Sequence, residues 1–223
     1  MKNQNIAFGL IDAQCGFMPN PAKTTARPDG FGELAVADGE QIIPVTNKLL
    51  ASFALQDTAL IFTTQDWHPK HTAHFADEPN YTSNWPVHCV AGTPGADIHP
   101  DINLPTNVSK FYKGYEQLIS GEDDTSYSGF NSLSFDNDQS LPDILTAREV
   151  KTLYLGGLAL DYCVGLTALD FAAQSNMNVV VISDATKPVA QESGDAMLQK
   201  IKAAGIHVTT SAEVLATLAE SEK

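Results

Sequence analysis

Basic side chains are scarce in this sequence of 223 residues, which has 13 lysines and arginines against 27 acidic residues and a formal net charge of -14. Nucleic acids and anionic membrane surfaces are bound through clustered basic side chains, and those present here are scattered along the chain. We therefore expect neither a nucleic-acid partner nor a membrane partner. Long apolar runs are also missing, because none approaches the ~20 residues that span a bilayer.

Cysteine is scarce as well, because the sequence has only three, Cys15, Cys89 and Cys163. They are odd in number, widely spaced and form no CxxC pair, which is typical of reduced thiols and not of a disulfide framework. The first residues, MKNQNIAFGLID, carry no small-residue cleavage site after their short apolar run. We therefore expect a cytoplasmic protein in which one of the thiols is a candidate for reactivity.

Short apolar runs recur along the chain, and the nearly continuous ones are typical of strands buried on both faces of a parallel sheet. The six candidate strands are IAFGLID (6–12), TALIFTTQD (58–66), NVSKFYKG (107–114), KTLYLGGLAL (151–160), NVVVISDA (178–185) and GIHVTT (205–210). The helical segments are GEQIIPVTNKLLASFA (39–54), DYCVGLTALDFAAQSN (161–176), GDAMLQKIKAAG (194–205) and SAEVLATLAESEK (211–223), with Gly205 expected to end one helix and Ser211 to cap the next. The pattern predicts one domain over residues 1–223, a three-layer αβα sandwich around a mainly parallel six-stranded sheet.

Polar residues at the predicted strand ends define a candidate site. Asp12, Asp66 and Lys113 follow or end three strands, and the turn from Leu158 to Cys163 follows a fourth. In open α/β sheets, ligands bind outside the carboxyl ends of the strands. Two long irregular stretches, 16–39 and 66–105, adjoin these ends, and long loops in compact domains are commonly functional. We expect these residues to converge.

The stretch QDWHPKHTAH (65–74) contains three of the six histidines of the chain. Asp66 and His68 are two residues apart after a strand, so their side chains can point to one side and offer an oxygen and a nitrogen ligand. His71, His74 and His88 are candidates to complete a metal site. A solvated polar loop explains the same stretch, so the residues alone leave both interpretations open.

Cys163 follows Asp161 and Tyr162 at the start of a predicted helix, where unpaired N–H groups and the helix dipole favour a thiolate. Asp12 is a candidate for its base, and Lys113 for the cation that stabilises the thiolate. The alternative is that Cys163 is an inert buried side chain and that the other two form ordinary salt bridges.

Seven blocks in order resemble the nicotinamidase and pyrazinamidase branch of the isochorismatase-like cysteine hydrolases. The blocks are IDAQCGF, GELAV, TQDWHPKHTAHF, WPVHCVAGTPGADIHP, FYKG, YSGF and GLALDYCV. The resemblance runs along almost the whole chain, and the block with WPVHC discriminates best, because relatives without a metal site do not need a histidine there. It implies the isochorismatase-like hydrolase fold.

The resemblance implies that Cys163 is the nucleophile, Asp12 the general base and acid, and Lys113 the cation that orients the pair. It also implies an oxyanion hole formed by the backbone N–H groups of Ala159 and Cys163, with a cis peptide bond between Leu158 and Ala159. A primary amide needs these parts, because it is a poor electrophile whose nitrogen must be protonated to leave.

By the same resemblance, Asp66, His68 and His88 are metal ligands, with His74 a fourth ligand or a close neighbour and water in the remaining positions. Such a set suits one divalent ion, for which zinc is the first expectation and iron or manganese the alternatives. The other histidines have no implied role and are read as loop or structural residues: His71, His99 and His207.

The resemblance places the substrate ring among aromatic side chains, with the ring nitrogen toward the metal. These side chains are Phe17, Trp85, Tyr127 and Tyr162. The chain departs from the family at Gln65, where many relatives have lysine, and residues 20–29 and 115–125 have the character of insertions.

The implied activity is hydrolysis of nicotinamide to nicotinate and ammonia in NAD salvage, with pyrazinamide accepted as a close isostere. The alternatives are a related hydrolase of a carbamoyl compound or ureide, an isochorismatase, whose chemistry needs neither thiol nor metal, and a binding module without catalysis. Relatives are found as monomers and as dimers, so the expected state is a monomer or a homodimer.

Overall fold

A mainly parallel sheet forms the centre of the molecule in the computed structural model, which describes residues 5–19, 30–115 and 127–221. Within these residues the sheet has seven strands in the order β4-β3-β2-β1-β5-β6-β7. The strands are β1 (Ile6–Ile11), β2 (Ala59–Asp66), β3 (Ser109–Lys113), β4 (Leu133–Ser134), β5 (Thr152–Leu158), β6 (Asn178–Lys187) and β7 (His207–Thr209). The predicted fold is confirmed, with one strand more than the six expected.

The additional strand is β4, which pairs antiparallel with β3 at the edge of the sheet, with Tyr112 opposite Leu133. Every other pairing in the described sheet is parallel. A strand of two residues has too few positions to show an apolar pattern, which is why the sequence did not reveal it.

Helices cover both faces of the sheet and complete the predicted three layers. They are α1 (Ile43–Ala54), α2 (Leu141–Ala147), α3 (Gly165–Gln174), α4 (Gln191–Ala203) and α5 (Ser211–Ser221). Buried side chains of α1 and α5, such as Phe53 and Leu218, pack in one apolar core. Those of α2, α3 and α4, such as Leu145 and Phe171, pack in the other. The sheet is therefore buried on both faces.

Several predicted helix boundaries are wrong, for local reasons. Helix α4 begins at Gln191 and not at residue 194, and the seven-residue α2 was not predicted because it spans too few turns to establish a period. Ser211 is the first residue of α5 and its hydroxyl donates to Asp184, so it does not cap the helix. Thr210 takes that place, with its hydroxyl accepting from the Glu213 N–H at 3.4 Å.

The parallel register brings the ends of four strands together. Asp66 pairs with Lys113 across β2 and β3, and Ile11 at the end of β1 pairs with Thr64 and Gly157. The irregular segments that follow these strands therefore share the carboxyl edge of the sheet, as predicted. The first predicted insertion, residues 20–29, lies outside the described residues. So do residues 116–125 of the second predicted insertion.

Among the described residues, none of the helices combines the length and the apolar character needed to cross a membrane.

Replacing Gly157 with alanine is expected to destabilise the protein by more than about 4 kcal/mol. Gly157 has φ +112° and is buried, and a Cβ there would overlap the carbonyl oxygen of Ile11 on the neighbouring strand. The matched control is Gly205→Ala, at φ +77° with nothing within 4 Å of the new Cβ, which should cost only about 1–2 kcal/mol of backbone strain. Urea unfolding of both variants measures the difference, and equal losses would contradict the close approach of β1 and β5.

Candidate active site

A buried lysine connects the polar groups at the carboxyl edge of the sheet. The Lys113 ammonium lies 3.0 Å from Asp12 Oδ2 and 3.6 Å from Cys163 Sγ, and it also donates to Asp66 Oδ1. Thr64 donates its hydroxyl to the other oxygen of Asp12 at 2.7 Å. Asp12, Lys113 and Cys163, which the sequence predicts to act together, therefore lie in contact around one ammonium group.

The two carboxylates beside Lys113 have different pKa values. Burial raises the pKa of Asp12 above its usual range, and the Lys113 charge offsets only part of this effect. Burial also acts on Asp66, but the charge of Lys113 and the interaction with His68 outweigh it and hold the pKa of Asp66 well below its usual range. Asp66 is therefore an anion near neutral pH, whereas Asp12 is the carboxylate with the stronger tendency to accept a proton.

The pKa of the Cys163 thiol departs from the sequence-based expectation of a favoured thiolate. Burial raises this pKa well above its usual value, Lys113 lowers it, and the negative charges of Asp12 and Asp66 raise it further. Lys113 acts in the predicted direction, but burial outweighs it. The sulfur therefore keeps its proton in the resting site and needs a base to remove it.

Cys163 is presented by a tight turn and not by the first turn of α3. Residues Leu160–Val164 form a π-helical turn, and α3 begins at Gly165. The N–H groups of Tyr162 and Val164 both donate to the Ala159 carbonyl at 3.1 Å. The expected cis peptide bond between Leu158 and Ala159 is present. Ala159 and Cys163 both line a pocket at this edge of the sheet.

Three histidines meet beside this group. His68, His74 and His88 are each at most 2% exposed, and one ring nitrogen from each lies within 4.8 Å of the others. The Nε2 atoms of His68 and His88 approach Asp66 Oδ2 at 3.6 and 3.9 Å. The sequence predicts His74 to be either a ligand or a close neighbour of the metal, and the structure places its ring within the cluster.

Hydrogen bonds fix the orientation of two of these rings. His68 Nδ1 lies 3.1 Å from the Gly114 carbonyl and His88 Nδ1 lies 2.7 Å from the Pro86 carbonyl. A carbonyl can only accept, so each Nδ1 donates its hydrogen there, which leaves each Nε2 available as the metal-binding nitrogen.

The donor set fits a divalent metal ion on two further observations. His68 Nε2 and His74 Nδ1 are buried without a hydrogen-bond partner, which is costly unless another ligand satisfies them. Burial, followed by the neighbouring His68 ring, lowers the pKa of His74 to about 3, and burial lowers that of His88 to about 4, so both rings are neutral at pH 7. Neutral imidazoles and one carboxylate suit zinc and similar ions.

Two side chains that the sequence did not indicate form hydrogen bonds that support the cluster of Asp66 and the histidines. Gln14 is fully buried and exchanges hydrogen bonds of 2.8 Å with both the N–H and the carbonyl of Asp66. Glu33 accepts from the N–H of Cys89 at 2.8 Å, next to His88. Both lie in blocks of the family resemblance, and a polar residue between apolar neighbours was the available signal for Gln14.

Aromatic side chains form the pocket above the thiol. Its lining includes Phe17, Trp85, Tyr127 and Tyr162 together with Asp66, His74, His88, Ala159 and Cys163. Trp85 Nε1 donates to the Tyr127 hydroxyl at 2.9 Å, and that hydroxyl donates to the Thr82 carbonyl at 2.9 Å. These bonds satisfy the polar groups of the two rings.

The remaining histidines lie apart from the cluster. His71 is exposed in the loop after β2, and His207 is exposed in β7. His99 is buried, with its ring packed edge-on against Phe31 and its Nδ1 accepting from the Asp101 N–H.

The sequence matches the isochorismatase domain over residues 7–213. The chain belongs to the isochorismatase family. Within this family it is similar to the nicotinamidase of Acinetobacter baylyi, with 34% identity over 95% of each chain. The resemblance to the nicotinamidase and pyrazinamidase branch is thereby confirmed.

Solved structures of family members share the fold described above. The pyrazinamidase of Pyrococcus horikoshii in complex with zinc has a TM-score of 0.74 and 32% identity, covering 92% of this chain and 99% of that one. PnC1 from L. infantum in complex with nicotinate has a TM-score of 0.74 and 25% identity, covering 94% of each chain.

His68→Ala and His88→Ala are expected to weaken metal binding at least ~10²-fold, because loss of an outer-shell partner alone typically costs 10–100-fold. His74→Ala should have an intermediate effect. His71→Ala is the matched control from the same loop, and because its ring is exposed away from the cluster it should keep full metal content. Elemental mass spectrometry of the purified variants measures occupancy, and metal loss from His71→Ala equal to that from His68→Ala would contradict the assignment.

Proposed function

We propose that the protein is a metal-dependent cysteine amidohydrolase that converts nicotinamide to nicotinate and ammonia and also hydrolyses pyrazinamide. The observation that supports this most strongly is the contact of Lys113 with both the Asp12 carboxylate and the Cys163 sulfur at the wall of an aromatic pocket. The similarity to nicotinamidases over nearly the whole chain supports nicotinamide as the substrate. The nicotinate formed would serve NAD salvage.

In the first half of the reaction, Asp12 accepts the Cys163 proton while the sulfur attacks the carboxamide carbon. Its raised pKa suits Asp12 to this task, since the thiol does not ionise unaided. The N–H groups of Ala159 and Cys163 bind the tetrahedral oxyanion. When the C–N bond breaks, Asp12 gives its proton to the departing nitrogen, so that ammonia leaves and a thioester remains on Cys163.

In the second half, Asp12 takes a proton from a water molecule that attacks the thioester carbon. The C–S bond then breaks, the sulfur recovers the proton held by Asp12, and the product leaves as nicotinic acid, which gives its proton to the solvent or to ammonia and becomes nicotinate. One water is consumed for each amide, and the enzyme returns to its starting protonation state. Lys113 remains a cation throughout, because its contacts with Asp12 and Asp66 raise its pKa although burial lowers it.

Asp66, His68 and His88, with His74, would hold the metal ion, and zinc is the ion that we propose for this set. When bound, the ion supplies a Lewis acid to which a pyridine or pyrazine nitrogen can coordinate. The faces of Phe17 and Trp85 would hold the ring from its sides. A substrate held by its ring presents its carboxamide to Cys163 in a fixed orientation, which is worth several orders of magnitude in rate.

Cys163→Ala is expected to reduce ammonia release from nicotinamide at least ~10³-fold, since removal of a nucleophile abolishes the covalent route. The control is Cys15→Ala, a buried thiol outside the pocket lining, which should keep turnover close to wild type. Iodoacetamide should inactivate the wild-type enzyme by labelling Cys163, as peptide mass spectrometry can show. Inactivation through Cys15 or Cys89, or substantial activity in Cys163→Ala, would show that the nucleophile is wrongly assigned.

A further inference from the structure

A buried carboxylate next to the nucleophile takes no part in the proposed reaction. Asp161 is 8% exposed and lies in the π-helical turn two residues before Cys163. Tyr162 and Cys163 line the pocket, whereas Asp161 lies outside its lining. Its carboxylate therefore acts on something other than the substrate.

The partners of Asp161 are in the segment that begins α4. Oδ1 accepts from the Val189 N–H at 2.8 Å, and Oδ2 accepts from the Ala190 N–H at 3.2 Å and from the Ser193 hydroxyl at 2.5 Å. Ala190 occupies the N-cap position of α4 and has no side-chain acceptor of its own. Asp161 thus supplies, from another element, the acceptor and the negative charge that a helix N-terminus favours.

The segment held by Asp161 also forms part of the pocket. Val189, whose N–H is bound by Asp161, lines the pocket opening and is 43% exposed. Helix α4 also packs closely against the residue that follows the nucleophile turn, since a Cβ at Gly165 would lie 2.6 Å from the Met197 sulfur. The wall at Val189 and the sulfur of Cys163 are therefore joined through one carboxylate and one tight packing contact.

We propose that Asp161 is a positioning residue, which fixes the pocket wall at Val189 relative to the nucleophile turn that carries Cys163. This inference rests on the proposed function, because it concerns how the amide carbon is held against the sulfur. A misplacement of about 1 Å can cost ~10²-fold in rate. An uncapped α4 N-terminus would allow such a shift without any change in the groups that react.

Asp161→Asn tests the proposal, because it keeps the shape but turns one acceptor oxygen into a donor that faces the N–H and O–H groups of α4. Its matched control is Asp184→Asn. Asp184 binds the N–H and the hydroxyl of Ser211 at the start of α5 at 2.7 and 2.6 Å, and it lies outside the pocket lining. Both variants lose a carboxylate that holds a helix start, so both should lower the melting temperature.

Asp161→Asn is expected to lower kcat for nicotinamide ~10- to 100-fold and to raise KM. The kcat is calculated per Cys163 thiol that iodoacetamide can label, so that a smaller amount of folded enzyme does not count as a lower rate. Asp184→Asn should keep the wild-type kcat and KM. Ser193→Ala, which removes one of the three partners, should fall between Asp161→Asn and wild type. A purely structural role would reduce the amount of folded enzyme and leave KM unchanged.

The rate of Cys163 alkylation separates this proposal from the proposed function, since it requires no turnover. It should rise several-fold in Asp161→Asn, because a released wall exposes the buried sulfur, and it should stay at the wild-type value in Asp184→Asn. If the wild-type protein released no ammonia from nicotinamide, the proposed function would be wrong, but the rate of Cys163 alkylation would still test the positioning role of Asp161. Wild-type KM and an unchanged alkylation rate in Asp161→Asn would overturn the positioning role.

Discussion

The ammonium group of Lys113 makes it possible for two carboxylates and a thiol to share one buried site. Removing an ion from water without a partner costs several kcal/mol, and Asp12 and Asp66 are both almost fully buried. Lys113 contacts both of them and the Cys163 sulfur. The same cation leaves the pKa of Asp12 raised and that of Asp66 well below its usual range, because Asp66 also has the rings of His68 and His88 beside it. Because the two pKa values shift in opposite directions, Asp12 is suited to accepting and donating a proton and Asp66 to binding a cation.

The parallel sheet is what brings these groups together. Asp12, Asp66 and Lys113 come from the ends of three adjacent strands, and the register places Asp66 directly beside Lys113. Strand β5, on the other side of β1, ends in the turn that presents Cys163. A shift of one residue in any of these pairings would turn the side chains to the opposite face of the sheet. The fold therefore contributes alignment, and the loops contribute the histidines and the aromatic walls.

Much of this arrangement could be predicted from the sequence, because buried parallel strands are nearly continuous apolar runs and their polar ends are easy to find. The family blocks then named residues that the structure places around one pocket, including His74, whose place the sequence left open. Other features depend on distances that sequence patterns do not carry. The edge strand Leu133–Ser134 is too short to show a period. The contact of Gln14 with Asp66 joins residues 52 positions apart, and the raised pKa of Cys163 follows from burial, which opposes the effect expected from Lys113 alone.

We propose that the charge of Lys113, and not only the presence of Asp12 and Cys163, makes the site catalytic. The most direct test is steady-state ammonia release from nicotinamide by Lys113→Met, which keeps the length of the side chain and removes its charge, with metal content matched to wild type. Turnover is expected to fall at least ~10²-fold below wild type, since the proton transfer between Cys163 and Asp12 loses the cation that orients it. Turnover close to that of the wild-type enzyme in a folded, metal-loaded Lys113→Met variant would contradict it.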